Sequence, residues 1–217
     1  MKFETPAGQI YTDIAHVIVA GWTGRDSNAV NHHISELSEL GVAPPSQVPL
    51  FYRIASAMLI QSKKIEVLGS TSSGEAEPLL IKSGNEIWLG LASDHTDRKL
   101  ETYSVAYSKQ ACLKPIANNL WKLSEVQDHQ DELILRSWVI EDDQWRPYQQ
   151  GTLSMILPLN QLLEAAELPE NAALLCGTLP AIGGIRSADK FCMELFDPIL
   201  DRKIRFTYRI ESLPIIA

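Results

Sequence analysis

The run His16–Gly21, HVIVAG, is apolar almost throughout, the pattern of a strand buried on both faces. After Asp26 the period changes. Val30, Ile34 and Leu37 recur at helical spacing, and Asp26 and Ser27 both suit an N-cap, so an amphipathic helix is predicted over residues 26–40. Gly41 and Pro44-Pro45 end it. The connector GVAPPSQVP is proline-rich and stiff. It separates an N-terminal strand and helical lid, residues 1–45, from a main body, residues 46–217; one continuous domain is expected from the two.

Past Ile65 the pattern turns to strands. Residues 65–69, 76–81 and 86–93 are strand-like, and in the last Ile87, Leu89 and Leu91 alternate with other residues. Residues 96–107 read as a short helix, residues 133–140 and 143–148 as a hairpin around EDDQ, and residues 154–167 as a helix ended by Pro169. Residues 173–177, 191–196 and 203–210 add strands, the last two joined by the turn DPILD. Many strands with few helices between them predict an α+β fold, mostly β, and not a βαβ repeat.

Composition narrows the possible functions. The chain has 217 residues, 45% apolar and 21% charged, the make-up of an ordinary globular protein. A net charge of −8 with no basic block argues against nucleic acid and anionic membranes as partners. No apolar run approaches the roughly 18 residues that span a bilayer, and MKFETPAGQIYTDI lacks the apolar core of a signal peptide. Cys112, Cys176 and Cys192 are odd in number, widely spaced and free of any CxxC. That argues against a disulfide framework or a structural zinc, and a cytoplasmic location is expected.

The candidate chemistry begins in SSGEAEPLL, residues 72–80. On a strand, Glu75 and Glu77 point to one face, where two carboxylates repel unless one is protonated or a cation bridges them. Alone, such a pair is also the pattern of a solvated strand face. Asp94 follows the strand NEIWLGLAS, where it serves equally as a cap for the helix after it. Together the three would supply hard oxygen ligands suited to Mg²⁺, Mn²⁺ or Ca²⁺.

The ordered set resembles the fumarylacetoacetate hydrolase superfamily. That family has an ExE strand pair, then an NDxxxRDxQ-like segment, which Ser93-Asp94-His95-Thr96-Asp97-Arg98-Lys99-Leu100-Glu101 resembles. Ser108-Lys109-Gln110 resembles its GKS-type lysine, and Lys114-Pro115 the proline beyond. Gly177-Thr178-Leu179-Pro180-Ala181-Ile182-Gly183 resembles its GTPxGxG loop, and Gly151-Thr152-Leu153-Ser154-Met155-Ile156 its T-x-x-M segment. Departures are Ser93 for the family asparagine, Glu101 for glutamine, a short interval from Asp94 to Lys109, and Leu179 splitting the GTP tripeptide.

The resemblance implies a mostly β roll or sandwich with a few peripheral helices, and a homodimer. It implies a divalent cation, Mg²⁺ foremost, on Glu75, Glu77 and Asp94. It also implies a small carboxylate substrate contacted by Arg98, Glu101 and Thr178, with Lys109 assisting catalysis. The family's HxxE dyad corresponds to His33 and Glu36, one helical turn apart; a carboxylate beside an imidazole suits water activation. His32, at i, i+4 to Glu36, is the alternative base, and a wet helix face is the plainer reading of all three. Arg53, in PLFYRI, stands where the family has an LFxKP-like segment and could face a substrate carboxylate. The implied reaction is cleavage of a C–C bond in a dicarbonyl or 2-oxo acid, with decarboxylation, hydration or tautomerisation sharing the same chemistry. A non-catalytic carboxylate-binding relative is the alternative outside enzymes.

The other polar and aromatic positions read more plainly. His95 could support Asp94 beside it, though Asp97 offers a simpler surface partner; His129 is solvated, Trp121, Trp138 and Trp145 pack or pair across strands, and Cys176 is a buried thiol with no histidine partner.

Overall fold

A computed structural model of the protein describes residues 1–39 and 44–216, without the side chains of His33 and Leu37. The end of the predicted lid helix and the start of its proline-rich connector, residues 40–43, lie outside the described residues. Two sheets dominate. A six-stranded sheet has the order Trp121–Lys122, Glu86–Ser93, Ala76–Ser83, Ala172–Leu175, His16–Gly21, Leu50–Ile54. A five-stranded sheet has the order Gln144–Thr152, Ile134–Glu141, Lys190–Asp197, Arg202–Leu213, Lys64–Leu68. The architecture is the mostly β, α+β arrangement expected, with short peripheral helices.

The sheets face each other across one core. Ile18, Leu80, Leu89, Leu91 and Leu174 of the first meet Leu135, Val139, Phe191, Met193, Leu195 and Ile204 of the second. The far face of the six-stranded sheet is also covered: Val17, Val19, Leu79, Ile81 and Leu175 pack with Phe3, Ile14, Leu59 and Ile116. Burial on both faces explains why HVIVAG and PLLI run apolar without alternation. The strand Ile134–Glu141 of the other sheet shows fully buried positions on alternate residues, as a half-covered sheet does.

The strands His16–Gly21 and Glu86–Ser93 match the predicted spans. The EDDQ hairpin forms between Ile134–Glu141 and Gln144–Thr152. Asp142 and Asp143 both have positive φ, 50° and 59°, the two-residue turn whose twist suits a hairpin. The lid helix is Ser27–Glu39, and Asp26 Oδ1 accepts the N–H groups of Asn28 and Ala29.

Two predicted helices are divided. Residues 96–107 hold the short strand Thr96–Asp97 and then helix Arg98–Glu101, capped by Asp97; a separate helix Val105–Ala111 follows, capped by Ser104. A second N-cap inside the run starts a new helix. Residues 154–167 hold a 3₁₀ turn, Leu153–Met155, and helix Leu159–Ala165, because Pro158 has no N–H to continue the first turn. Among the elements without a sequence signal are the hairpin Lys2–Thr5 with Gly8–Tyr11 and the edge strand Leu50–Ile54. His16–Gly21 lies between Ala172–Leu175 and Leu50–Ile54, so the N-terminal 45 residues contribute a central strand to the larger sheet.

Candidate metal centre

The centre lies at one open end of the six-stranded sheet. Ala76 pairs with Ser93 where two adjacent strands finish. Beyond that pair the chains stay joined, because Asp94 N–H donates to Glu75 O at 2.9 Å and Glu75 N–H to Ser93 Oγ at 3.2 Å. Glu75, Glu77 and Asp94 therefore converge, with one carboxylate oxygen of each within 4.8 Å of the others.

Glu77 and Asp94 are buried, and each carboxylate is held from behind. Gly177 N–H donates to Glu77 Oε2 at 2.8 Å. Gly177 has φ +93°, and a Cβ there would stand 1.8 Å from Thr23 Oγ1, so this donor position demands glycine. Thr178 Oγ1 donates to Ala76 O at 2.7 Å and accepts from Gln149 Nε2 at 2.6 Å. Gln149 Oε1 accepts Ala76 N–H at 2.9 Å. Thr178 thus sits beside the ExE segment as a brace, and Gln149, buried and fully bonded, ties the loop to the strand.

Three cations complete the site. Lys109 lies against Asp94 Oδ2 and stands 3.9 Å from both Glu75 and Glu101. Lys114, fully buried, is 3.2 Å from Asp94 Oδ1 and donates to His95 O at 2.6 Å. Arg98 reaches Glu75 at 3.0 Å and Glu101 at 2.9 Å, and its Nε donates to Ser73 Oγ at 2.7 Å. The extra negative charge at Glu101 is thereby met within the protein by Arg98.

These charges divide the carboxylates. Burial pushes Asp94 upward, but Lys109 and Lys114 outweigh it and bring its pKa down to about 2. Glu77 has burial and the neighbouring Asp94 charge acting together, and its pKa stands well above the usual carboxylate range. Burial pulls Lys109 down, yet Asp94 and Glu75 carry it above its ordinary value, while burial prevails at Lys114, which is lowered.

The donor set fits a hard divalent cation. Asp94 Oδ2 is buried against the Lys109 ammonium. It belongs to a group whose other members offer only carboxylate oxygens, the chemistry Mg²⁺, Mn²⁺ and Ca²⁺ prefer.

Other expected site residues lie elsewhere. Arg53 pairs in register with Ile18, whose face packs toward the second sheet, whereas Glu77 shares its face with Leu79 and Ile81. Strand alternation thus puts Arg53 on the opposite face, where it is exposed and 3.1 Å from His16 Nδ1. Tyr52 occupies the face Arg53 was expected to serve. Glu36 is exposed on the lid helix and 3.3 Å from His32, the i, i+4 partner. The His33 side chain lies outside the described residues.

Two histidines differ from expectation. His95 is fully buried, not paired at the surface with Asp97: Nδ1 is 2.9 Å from Tyr208 Oη and Nε2 is 2.8 Å from Ser72 Oγ. Burial, with Lys114 and Arg98 nearby, lowers its pKa to about 3. Tyr208 Oη is also 2.8 Å from Ser93 Oγ, so the serine at the family asparagine position joins this network. His129 is mostly buried, 3.1 Å from Asp197 Oδ1. Lys114, Gln149 and Tyr208 carried no local signal, because each acts through a partner distant in sequence.

The fold is shared with solved structures of fumarylacetoacetate hydrolase-like enzymes. A structure from Oleispira antarctica, provisionally assigned as a fumarylacetoacetate isomerase/hydrolase, aligns over 97% of this chain and 99% of its own at 15% identity, with a TM-score of 0.69. A 2-keto-3-deoxy-D-arabinonate dehydratase complexed with magnesium and 2,5-dioxopentanoate aligns over 94% of this chain and 75% of its own at 12% identity, TM-score 0.62. The 4-oxalocrotonate decarboxylase of Pseudomonas putida G7, complexed with calcium and acetate, aligns over 92% and 78% at 13% identity, TM-score 0.58. At such identities the likeness is one of fold. No curated protein matches the sequence. The chain belongs to the family described as "Protein of unknown function (DUF2848)", whose model matches residues 20–208. Among the described residues, no helix is long and apolar enough to cross a membrane.

Proposed function

We propose that this protein is a divalent-metal-dependent enzyme that hydrolyses a C–C bond in a dicarbonyl or 2-oxo acid. The observation that carries the proposal is the convergence of Glu75, Glu77 and Asp94 at one sheet end, one carboxylate oxygen of each within 4.8 Å of the others. Fold relatives that act on 2-oxo acids, or that hold magnesium or calcium, support it. Decarboxylation, hydration and tautomerisation are the alternatives on the same site.

Bound there, a divalent cation would act as a Lewis acid toward two substrate oxygens. The chain's own charges suit an anionic substrate: four carboxylates, Glu75, Glu77, Asp94 and Glu101, face three cations, Arg98, Lys109 and Lys114. A divalent cation would leave the group one positive charge in excess, complementary to a carboxylate. Lys109 and Arg98 would meet negative charge developing on a substrate oxygen. His33, oriented by Glu36, would take a proton from the attacking water.

Mn²⁺ or Mg²⁺ at a hundredfold excess over its dissociation constant should stabilise the protein by about 2.7 kcal/mol. Calorimetry should register this as a rise of about 5–10 °C in melting temperature. Glu77→Gln should erase the response without lowering the ion-free melting point, because an amide relieves a buried carboxyl of its charge. A wild-type protein that does not respond to Mg²⁺, Mn²⁺ or Ca²⁺ would remove the metal centre.

The base has a separate test. His33→Ala should lower acylpyruvate hydrolysis by about 10²–10⁴-fold, the usual share of a general base, while sparing any oxaloacetate decarboxylation. Acylpyruvate cleavage at the wild-type rate would take the role from His33.

A further inference from the structure

The residues on either side of Asp94 meet one atom. Tyr208 Oη is 2.8 Å from Ser93 Oγ and 2.9 Å from His95 Nδ1. Tyr208 belongs to the strand Arg202–Leu213 of the other sheet and is fully buried. Ser93 and His95 stand two residues apart, so alternation turns both toward that sheet and Asp94 away from it. The register that pairs Ala76 with Ser93 resumes where Ser73 pairs with Thr96. Glu75 is therefore opposite Asp94, and Gly74 is opposite His95.

The same phenol reaches the segment that carries Glu75. A Cβ on Gly74 would stand 2.5 Å from Tyr208 Oη, so the hydroxyl lies against the backbone just before that glutamate. Ser93 Oγ accepts Glu75 N–H at 3.2 Å, and His95 Nε2 is 2.8 Å from Ser72 Oγ. Lys114 donates to the His95 carbonyl at 2.6 Å and stands 3.2 Å from Asp94 Oδ1. Ser72, Ser93, His95 and Tyr208 are all buried, where a lost hydrogen bond leaves its partner unsatisfied. One chain of hydrogen bonds, from Ser72 through His95, Tyr208 and Ser93 to the Glu75 amide, thus joins the two ligand-bearing segments.

We infer that Tyr208 is a positioning residue for the metal centre: its hydroxyl fixes the backbone on both sides of Asp94 against Glu75, and so raises the preference of the site for Mg²⁺ relative to Ca²⁺. The inference rests on the metal-centred reading above and concerns how that site chooses its ion. Mg²⁺ demands a near-octahedral set of short bonds, whereas Ca²⁺ accepts longer ones in flexible arrangements. Loosening the spacing of two ligands therefore costs Mg²⁺ more. Partners that orient metal ligands from behind act on affinity in this way without touching the ion.

Calorimetric titration of the whole protein with Mg²⁺ and with Ca²⁺ measures both affinities. Tyr208→Phe keeps the ring and removes only the hydroxyl. It should weaken Mg²⁺ binding by about tenfold or more and Ca²⁺ binding far less, so that the ratio of the two affinities falls. A merely structural role would lower the melting temperature and leave that ratio alone. Tyr148→Phe is the matched control. It removes another buried phenol hydroxyl of the same core, one that accepts Arg186 N–H at 3.4 Å, and should leave the ratio unchanged. Ser93→Ala breaks one arm of the chain and should lower the ratio in the same direction as Tyr208→Phe. An unchanged ratio in Tyr208→Phe, or an equal fall in Tyr148→Phe, would overturn the inference while metal binding by the wild type still stood. If Tyr208→Phe does not fold, Ser93→Ala decides, and a wild-type ratio there overturns the inference. A wild-type protein that binds neither ion is the distinct failure: it removes the metal-centred reading and this inference with it.

Discussion

Asp94→Asn should destabilise the ion-free protein by about 3–5 kcal/mol, the cost of breaking a buried ion pair from one side. Asparagine keeps the shape of the side chain but removes the charge that two lysines share. Lys109 would retain Glu75 and Glu101, each 3.9 Å away. Lys114 would not be so placed: it is fully buried, and its other contact is the neutral His95 carbonyl. Most of the loss should therefore come from Lys114, and the double variant Asp94→Asn/Lys114→Met should recover much of it. Urea unfolding of the single and double variants measures this directly, with an unchanged m-value marking a true stability change. A loss below about 1 kcal/mol in the single variant, or no recovery in the double, would mean that the lysines are compensated elsewhere.

Acid should destabilise the protein through His95 before it reaches the carboxylates' range. Above pH 6.5 this imidazole is neutral in both the folded and the unfolded chain. Below 6.5 the unfolded chain takes up a proton that the folded protein refuses until about pH 3, so stability falls with pH across that window. Over its full width the effect is on the order of 5 kcal/mol, and about 2–3 kcal/mol is lost between pH 6.5 and 4.5. Glu77, whose carboxyl is raised, acts with the opposite sign as pH falls, so the informative quantity is a difference. Urea unfolding at pH 7.5 and 4.5 should show a larger drop for wild type than for His95→Gln. Equal drops would place the proton of the native state on His95 after all.

Much of the architecture was legible because its causes are local. The apolar runs at residues 16–21 and 76–81 announce strands covered on both faces, and the Asp142-Asp143 turn closes its hairpin through its own backbone preference. The helices after Asp94 were harder. Asp97 and Ser104 both act as caps, and the first helix starts only after Thr96–Asp97 pairs with Ser72–Ser73, a segment far back in the chain. The edge strand Leu50–Ile54 has little pattern of its own and is a strand because His16–Gly21 offers it an edge.

The site divides along the same line. Spacing alone put Glu75 and Glu77 on one face, and order along the chain added Asp94, Lys109 and Arg98. Their convergence at one sheet end, and the charges that set them apart, required the fold. The face on which Arg53 lies was not readable from its neighbours in sequence, because pairing register assigns it: opposite Ile18, alternation turns it away from Glu77 and turns Tyr52 toward it. His95 read locally as a surface polar residue and Lys114 carried no local signal; only packing that removes them from water makes Lys114 a counter-charge and His95 a neutral imidazole. By itself the sequence determined the long apolar strands, the turn chemistry and the Glu75–Glu77 pair, since these follow from periodicity and short spacing. Tertiary structure decided which face each side chain took and which charges were desolvated, because both depend on partners brought together from distant parts of the chain.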